Sequence, residues 1–344
     1  MESIFINGNL LKKSTNKDVI ATINDVNNLL NKGNSWVKTN LSLSNLDKIE
    51  ISNSNKYTIL FNKPNKVTTV TDVLSSHRET ITELSTGISN AVISNSNKYQ
   101  VLLSNPDNYT EMISILLSSD YGKTFLTSYY DFNGQFNSVS ISNNGQYILV
   151  SKNNSLLYSS TYGKSNEWKQ IDFINSADFV YIEAFRFINS KLSSNGQYSI
   201  VITESYSKSV YFSIDYCQSW TLSLDIDKSI NNVNHLFISQ TGETIAISCD
   251  SCIFISNDYG ANWRLATVPN NIWLKVMSVN SNALLAMSVD SLWVSDETTY
   301  NWRKHLDITN VTSDPDSYIQ NGFYSNQTLI LHISNTLYYL QETI

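Results

Sequence analysis

From residue 34 onward, apolar and polar residues alternate with a period of two, and turn-forming residues break the alternation at short intervals. That period places successive side chains on opposite faces of a strand. The stretch 136–172 shows the unit most clearly. Residues 136–142 alternate as a strand, and Asn143, Asn144 and Gly145 predict a tight hairpin, because Asn and Gly tolerate positive φ. Residues 146–151 and 155–160 read as a second and a third strand. A turn from Ser159 to Gly163 follows, and Trp168 opens a fourth strand. The pattern predicts a four-stranded antiparallel meander.

The unit recurs. Its first strand end and hairpin return at Ile51, Ile93, Leu192, Ile238 and Met277. Its turn between the third and fourth strands returns at 118–125, 213–220, 256–263 and 295–302. The clearest copy runs from Ser256 through Asp258 and Gly260 to Trp263, with the frame S-x-D-x-G-x-x-W. A repeat of roughly 40–50 residues with four strands per repeat predicts a β-propeller. One such sheet cannot bury both faces alone, so the blades must stack around an axis. The fold class expected is all-β, a single propeller of four-stranded antiparallel blades.

These turns resemble the Asp-box, or BNR repeat, of sialidases, sortilin-type receptors, xyloglucan hydrolases and a photosystem assembly factor. Asp120 with Gly122, and Asp258 with Gly260 and Trp263, are good copies. Asp215 and Trp220 flank a copy in which Cys217 stands at the glycine position. The copy from Ser159 has Thr161 for Asp, and that from Ser295 has Glu297 for Asp and Thr299 for Gly. The chemistry such a turn needs is structural. An Asp carboxylate accepts hydrogen bonds from turn amides. Gly supplies a left-handed backbone position. Trp brings a large area to bury between blades. In the families named, these turns lie on the rim, away from the ligand site. The resemblance does not extend to sialidase catalysis. That site needs an arginine cluster, and the chain has only Arg78, Arg186, Arg264 and Arg303. The xyloglucan hydrolases use two propellers, and one is present here.

Fourth strands are expected near Trp36, Ile81, Phe125, Trp168, Trp220, Trp263 and Trp302. After Trp302 the segments 318–324, 328–334 and 336–340 read as a first, second and third strand. An open propeller would expose two sheet edges. The strand at Trp36 therefore completes the C-terminal blade, which makes seven blades over residues 34–344. Residues 1–33 read as an N-terminal extension. Residues 4–6 suit a short strand, and Val19, Ile20, Ile23, Val26, Leu29 and Leu30 are spaced as one face of a helix over 16–32. If 18–30 are strands instead, an eighth blade follows, sealed by residues 4–6.

Composition narrows the function. The net charge is −7 and basic residues are scattered, so no nucleic-acid partner is expected. No apolar run reaches the roughly 18 residues of a membrane span, and no secretory signal is visible. An intracellular or virion-associated protein is expected; the bias to Asn, Ile, Lys and Tyr suits a low-GC genome such as those of some protists and large DNA viruses. The three cysteines Cys217, Cys249 and Cys252 imply no disulfide framework, and Cys249 and Cys252 read as small residues flanking a β-turn. No metal and no cofactor are expected, and no nucleophile elbow, phosphate loop or zinc motif occurs.

In such a meander the first-to-second and third-to-fourth turns share one face, and the remaining loops share the other, where function is expected. That face gathers Tyr129, Tyr130, Asp131, Asp178, Tyr181, Glu183, Arg186, Asp225, Asp227 and Trp273. Tyr129, Tyr130, Asp131, Asp178, Glu183, Arg186 and Trp273 are the candidate partner-binding residues. The expected role is a non-enzymatic scaffold that binds another protein there. Glycan binding or glycoside hydrolysis, and a structural role in a particle such as a virion, are the alternatives.

Overall fold

The structure, a computed structural model, describes the strand segments between residues 3 and 83. It also describes 87–341 except 106–111, 133, 172–185, 206, 270, 281–282, 297–300, 309–310, 313–317, 326–327 and 334–335. Among the described residues there are seven four-stranded antiparallel sheets and one two-stranded ribbon, and no α-helix. Blades 1 to 6 are continuous in sequence, at 46–83, 88–131, 136–171, 186–226, 233–265 and 273–307. Blade 7 takes Ile319–Ser325, Thr328–Ile333 and Thr336–Gln341 from the C-terminal end, and Ser35–Lys38 as its outer strand. Trp36 pairs with Leu340, so the early strand closes the ring as its position predicts. The first strands of successive blades are neighbours from blade 1 to blade 7, and they form the inner wall.

The segment Ser3–Ile6 is a strand, but it pairs with Asn9–Lys12 in the ribbon and seals no eighth blade. The helix expected over 16–32 lies outside the described residues.

The core is a series of seams between blades. Val101, Leu103 and Ile115 of blade 2 pack with Val139, Ile148 and Val150 of blade 3. Ile200, Ile202 and Val210 of blade 4 pack with Leu236, Ile245 and Ile247 of blade 5. Blades 6 and 7 meet through Leu285, Met287, Leu329 and Leu331. Each such side chain contributes about 1.5–3 kcal/mol by leaving water. Second strands such as Gln100–Ser104 and Ile245–Cys249 are buried at every residue, because both of their faces lie in seams. Fourth strands such as Thr221–Ile226 are largely exposed.

The turns between third and fourth strands are built as their chemistry predicts. Ser256 is fully buried; its hydroxyl donates to Asp258 Oδ1 at 2.8 Å and accepts the Gly260 amide at 2.9 Å. Asp258 accepts the Asn262 amide at 2.8 Å and the Asn262 side-chain amide at 2.7 Å. Asp120 does the same with Ser118 and Thr124, and Asp215 with Ser213 and Ser219. The preceding Tyr and the Gly both have positive φ, 60° at Tyr259 and 88° at Gly260. Trp263 Nε1 donates to Ser223 Oγ of blade 4 at 2.7 Å, and Ser223 in turn donates to the Gly260 carbonyl. Trp168, Ser128 and Gly163 repeat that clasp between blades 3 and 2. Trp220 packs in the seam of blades 3 and 4.

Cys217 keeps a positive φ of 64° at the position held by Gly122, Gly163 and Gly260 in three other copies. A Cβ on Gly163 would meet Ile148 Cδ1 at 3.0 Å, and one on Gly260 would meet Ile245 Cδ1 at 3.5 Å. At the same place on its second strand, blade 4 has Ser199, whose Oγ lies 3.0 Å from Cys217 Sγ. A smaller second-strand residue thus makes room for the larger turn residue.

Two outcomes are expected from these turns. Ser199→Ile destabilises the chain by about 1–3 kcal/mol through overpacking against Cys217. Combined with Cys217→Gly it restores the arrangement of blades 3 and 5 and recovers most of that loss in a denaturant titration; strict additivity of the two changes would contradict the compensation. Asp258→Ala costs about 1–2 kcal/mol at neutral pH. Slight burial pushes the Asp258 carboxyl up, and the hydrogen bonds from Asn262, Ser256 and Ala261 push it down further, below the ordinary 3.8. A lowered folded-state value stabilises above the unfolded value and is lost as pH falls through it. The stability gap between the native chain and Asp258→Ala therefore shrinks below about pH 4, which thermal unfolding against pH measures.

Candidate functional site

The two faces of the disc are physically different. On the first, the hairpin and clasp turns are stitched to each other. Asn95 N donates to the Asn143 carbonyl of the next blade at 2.9 Å, Asn143 N to Ser194 O at 2.8 Å, and Ser194 N to Gln240 O at 3.0 Å. Tyr99, Tyr147 and Tyr198 meet Tyr162, Tyr216 and Tyr259 of the following blade, with centroids 4.8, 5.1 and 4.7 Å apart. Within blades 2 to 5 the clasp tyrosine's amide bonds to the hairpin, as Tyr162 N does to Gln146 O at 3.0 Å. Asp120, Asp215 and Asp258 are engaged in their turns, so this face offers no free carboxylate from those motifs.

The opposite face carries the other loops. At the blade 2 corner Tyr130 and Phe132 are 60% and 59% exposed, with ring centroids 6.2 Å apart at 81°. The register that pairs Ser114 with Tyr130 and Ile113 with Asp131 brings Met112, also exposed, opposite Phe132. On the other face of the same strand Tyr129 is half-buried, edge-on to Phe136 at 6.4 Å and to Trp168 at 6.3 Å. Burial and the neighbouring Asp131 carboxylate push its phenol above the ordinary range. Asp131 forms an ion pair with Lys152 of blade 3.

Around the rest of that face, several described carboxylates are engaged by neighbours. Arg186 reaches Glu204 Oε2 at 2.6 Å, and Lys208 reaches Glu204 Oε1 at 3.2 Å. Burial pushes the Glu204 carboxyl up, and these hydrogen bonds push it down further, so it ionises below the ordinary glutamate range. Asp225 accepts the Ser209 hydroxyl at 2.6 Å. Asp227 accepts the Ser229 amide at 2.7 Å. Asp250 accepts the side-chain amides of Asn232 at 2.7 Å and Asn234 at 3.1 Å. Glycoside hydrolysis needs two carboxylates across a cleft, one of them protonated as the acid; among the described residues each of these loop-face carboxylates is engaged separately. No group of three metal-ligating side chains occurs among the described residues.

Tyr130 is exposed, while Tyr129 and Asp131, on the other face of the same strand, are turned toward blade 3. Arg186 is on the face and bound to Glu204. Asp178, Tyr181 and Glu183 lie outside the described residues. Trp273 corrects the expectation. It is fully buried at the head of blade 6, edge-on to Trp293 at 5.9 Å, because it opens an inner strand and falls into the seam with blade 5. It cannot serve as a surface anchor.

A feature at the axis escapes the sequence reading. Every first strand carries a register shift near its start, as at Phe136/Ser138 and Trp273/Lys275. The residue just past it is polar in all seven blades: Lys48, Asn90, Ser138, Asn189, His235, Lys275 and Asn321. First strands begin on the loop face, so these bulges ring the axis near its loop-face mouth. Lys275 Nζ bonds to Asn321 Oδ1 of blade 7 at 3.0 Å. A polar residue two positions after the first apolar one of each first strand is the signal that could have found the ring.

Solved structures of YCF48 share this fold. YCF48 from Cyanidioschyzon merolae superposes with a TM-score of 0.63 at 14% identity, covering 89% of this chain and 98% of that one. A structure described as YCF48 bound to D1 peptide gives 0.62 at 13% identity, covering 90% and 95%. No protein-family model and no curated protein matches the sequence. At this identity the likeness establishes the propeller architecture over nearly the whole chain.

Burial makes a distinct expectation for Trp273. Trp273→Ala lowers stability by about 3–5 kcal/mol, as cavity-forming changes at buried aromatics do. A shifted midpoint in urea unfolding checks it; an unchanged midpoint would mean that the indole is not part of the core.

Proposed function

We propose that this protein is a non-enzymatic β-propeller that binds a protein or peptide partner on the loop face. The observation that carries the reading is the exposed ridge of Tyr130 and Phe132. Paired large aromatics in water are costly to leave exposed, and they are the residue types that dominate binding energy at protein interfaces. The strand that carries the ridge is held from its other face, where Tyr129 packs edge-on to Phe136 and Trp168, so its backbone is fixed and less ordering is required on binding. One structural neighbour is described as bound to a peptide, which supports a binding role for a propeller of this shape. The serine–aspartate–glycine turns are read as Asp-box repeats in a structural capacity, consistent with their full engagement in hairpins and seams.

The test is affinity capture with the tagged chain from its native source, followed by binding measurements on the recovered partner. Tyr130→Ala and Phe132→Ala each weaken that complex by about tenfold or more, as loss of an aromatic hot spot does. Tyr121→Ala, on the opposite face, leaves it unchanged. Equal binding by all three variants would sink the proposal, as would a stronger effect of Tyr121→Ala.

A further inference from the structure

The hairpin between the second and third strands of blade 5 turns on Asp250 and Ser251, with Cys249 and Cys252 flanking it. The register that pairs Ser248 with Ile253 places the two cysteines directly opposite each other. The Cys249 amide donates to the Cys252 carbonyl at 2.9 Å, which closes the turn. Direct opposition across the ladder sends their side chains out on the same side of the hairpin.

The same hairpin in blade 6 shows that side chains at these positions can meet. There Ser288 and Ser291 occupy the flanking positions, and their hydroxyl oxygens lie 2.8 Å apart. Two blades thus bring the flanking side chains together, with oxygen in one and sulfur in the other. Directly opposed residues in such a ladder have Cα atoms about 5.5 Å apart, within the range that a disulfide spans.

We propose that Cys249 and Cys252 are a redox-active dithiol, a modification site that closes to a disulfide with oxidised glutathione and reopens with the reduced form. Cys252 is the half-buried member and meets the reagent; Cys249 is buried against blade 4 and waits behind it. The Cys252 thiolate attacks one sulfur of the glutathione disulfide. That S–S bond breaks, and one glutathione leaves as a thiolate that takes up a proton. Cys249 then loses its proton and attacks the Cys252 sulfur of the mixed disulfide, expelling the second glutathione. Two protein thiols are oxidised by two electrons, and one glutathione disulfide is reduced to two thiols.

The surroundings fit these roles. The hydrogen bond from Cys249 lowers the Cys252 thiol below its ordinary value and raises that of Cys249. Thiolate character selects the attacking sulfur. The Lys208 ammonium favours the charged form of Cys249 when it must lose its proton, against Asp250, which opposes it. Cys217 is the contrast: buried in its turn, its thiol is pushed up to about 12, and it stands apart as an inert control. A directly opposed pair joined by backbone hydrogen bonds holds its Cβ atoms farther apart than a relaxed disulfide requires. The bridge is therefore strained and readily reduced. Asp250 in the turn holds Asn232 and Asn234, and Asn234 also donates to the Trp273 carbonyl at 3.1 Å, so the hairpin is tied to the loop-face junction of blades 5 and 6. The site is separate from the blade 2 ridge, and its test does not depend on that ridge.

The experiment incubates the folded full chain with oxidised glutathione, quenches in acid, denatures, alkylates and reads peptides by mass spectrometry. The expected result is an internal Cys249–Cys252 bridge, lighter by two hydrogen atoms, with Cys217 still alkylated, and full reversal by reduced glutathione. In Cys249→Ser the glutathione adduct stays on Cys252 instead of being resolved. Cys217→Ser behaves as the native chain does. The proposal is overturned if Cys249 and Cys252 both remain alkylatable under conditions that oxidise a free dithiol peptide. A terminal glutathione adduct on Cys252 of the native chain, or a bridge that forms only after denaturation, overturns it as well.

Discussion

Blades 2 to 5 are tied each to the next by a backbone hydrogen bond between hairpin turns, from Asn95 to Asn143, from Asn143 to Ser194, and from Ser194 to Gln240. The bond demands that the turns approach closely, and the rest of the first face follows. Gly242 stands where a Cβ would lie 2.6 Å from the Tyr198 ring, so the residue there must be small and must accept a φ of 86°. The tyrosine that caps the glycine then meets the clasp tyrosine of the following blade. Side-chain hydroxyls, turn amides and rings on this face are largely engaged in holding the ring together, which leaves recognition to the other face.

The clasp turns show which atoms that constraint can do without. In the blade 3 copy, Thr161 replaces the aspartate, yet Ser159 Oγ still accepts the Gly163 amide at 2.9 Å. In the blade 4 copy, Cys217 replaces the glycine, and Ser213 Oγ still accepts its amide at 3.1 Å. The serine is buried in both, so losing it would strand an amide away from water, whereas losing the aspartate exposes only groups that water can satisfy. This explains why the aspartate and glycine wear away along the chain while the serine persists in all five copies.

The same logic separates what the sequence reveals from what it hides. Hairpins and clasps are legible because each needs particular atoms at fixed spacing, and the closure at Trp36 follows from counting strands. The burial of Trp273 is not legible, because it depends on Ala246 and Ile255 in the preceding blade, which no local pattern reports. The accommodation of Cys217 by Ser199 joins residues on different strands and is visible only once they touch. Of the candidate site, Tyr130 and Asp131 could be placed on the loop face from topology, but whether each is free or engaged is set by Phe132 and by Lys152 of the next blade.

The loop face is where equivalent backbone positions carry different chemistry. The hairpin after the second strand is flanked by Lys152 and Ser155 in blade 3, by Cys249 and Cys252 in blade 5, and by Ser288 and Ser291 in blade 6. The backbone brings each pair together regardless of what the side chains are, so the fold supplies proximity and the sequence decides its use. In blade 3 the lysine reaches out to Asp131 of blade 2 and ties the two blades together. In blade 6 the serines satisfy each other and Asp290. In blade 5 the same geometry sets two thiols directly opposite each other, where proximity turns two small residues into a pair that can exchange electrons.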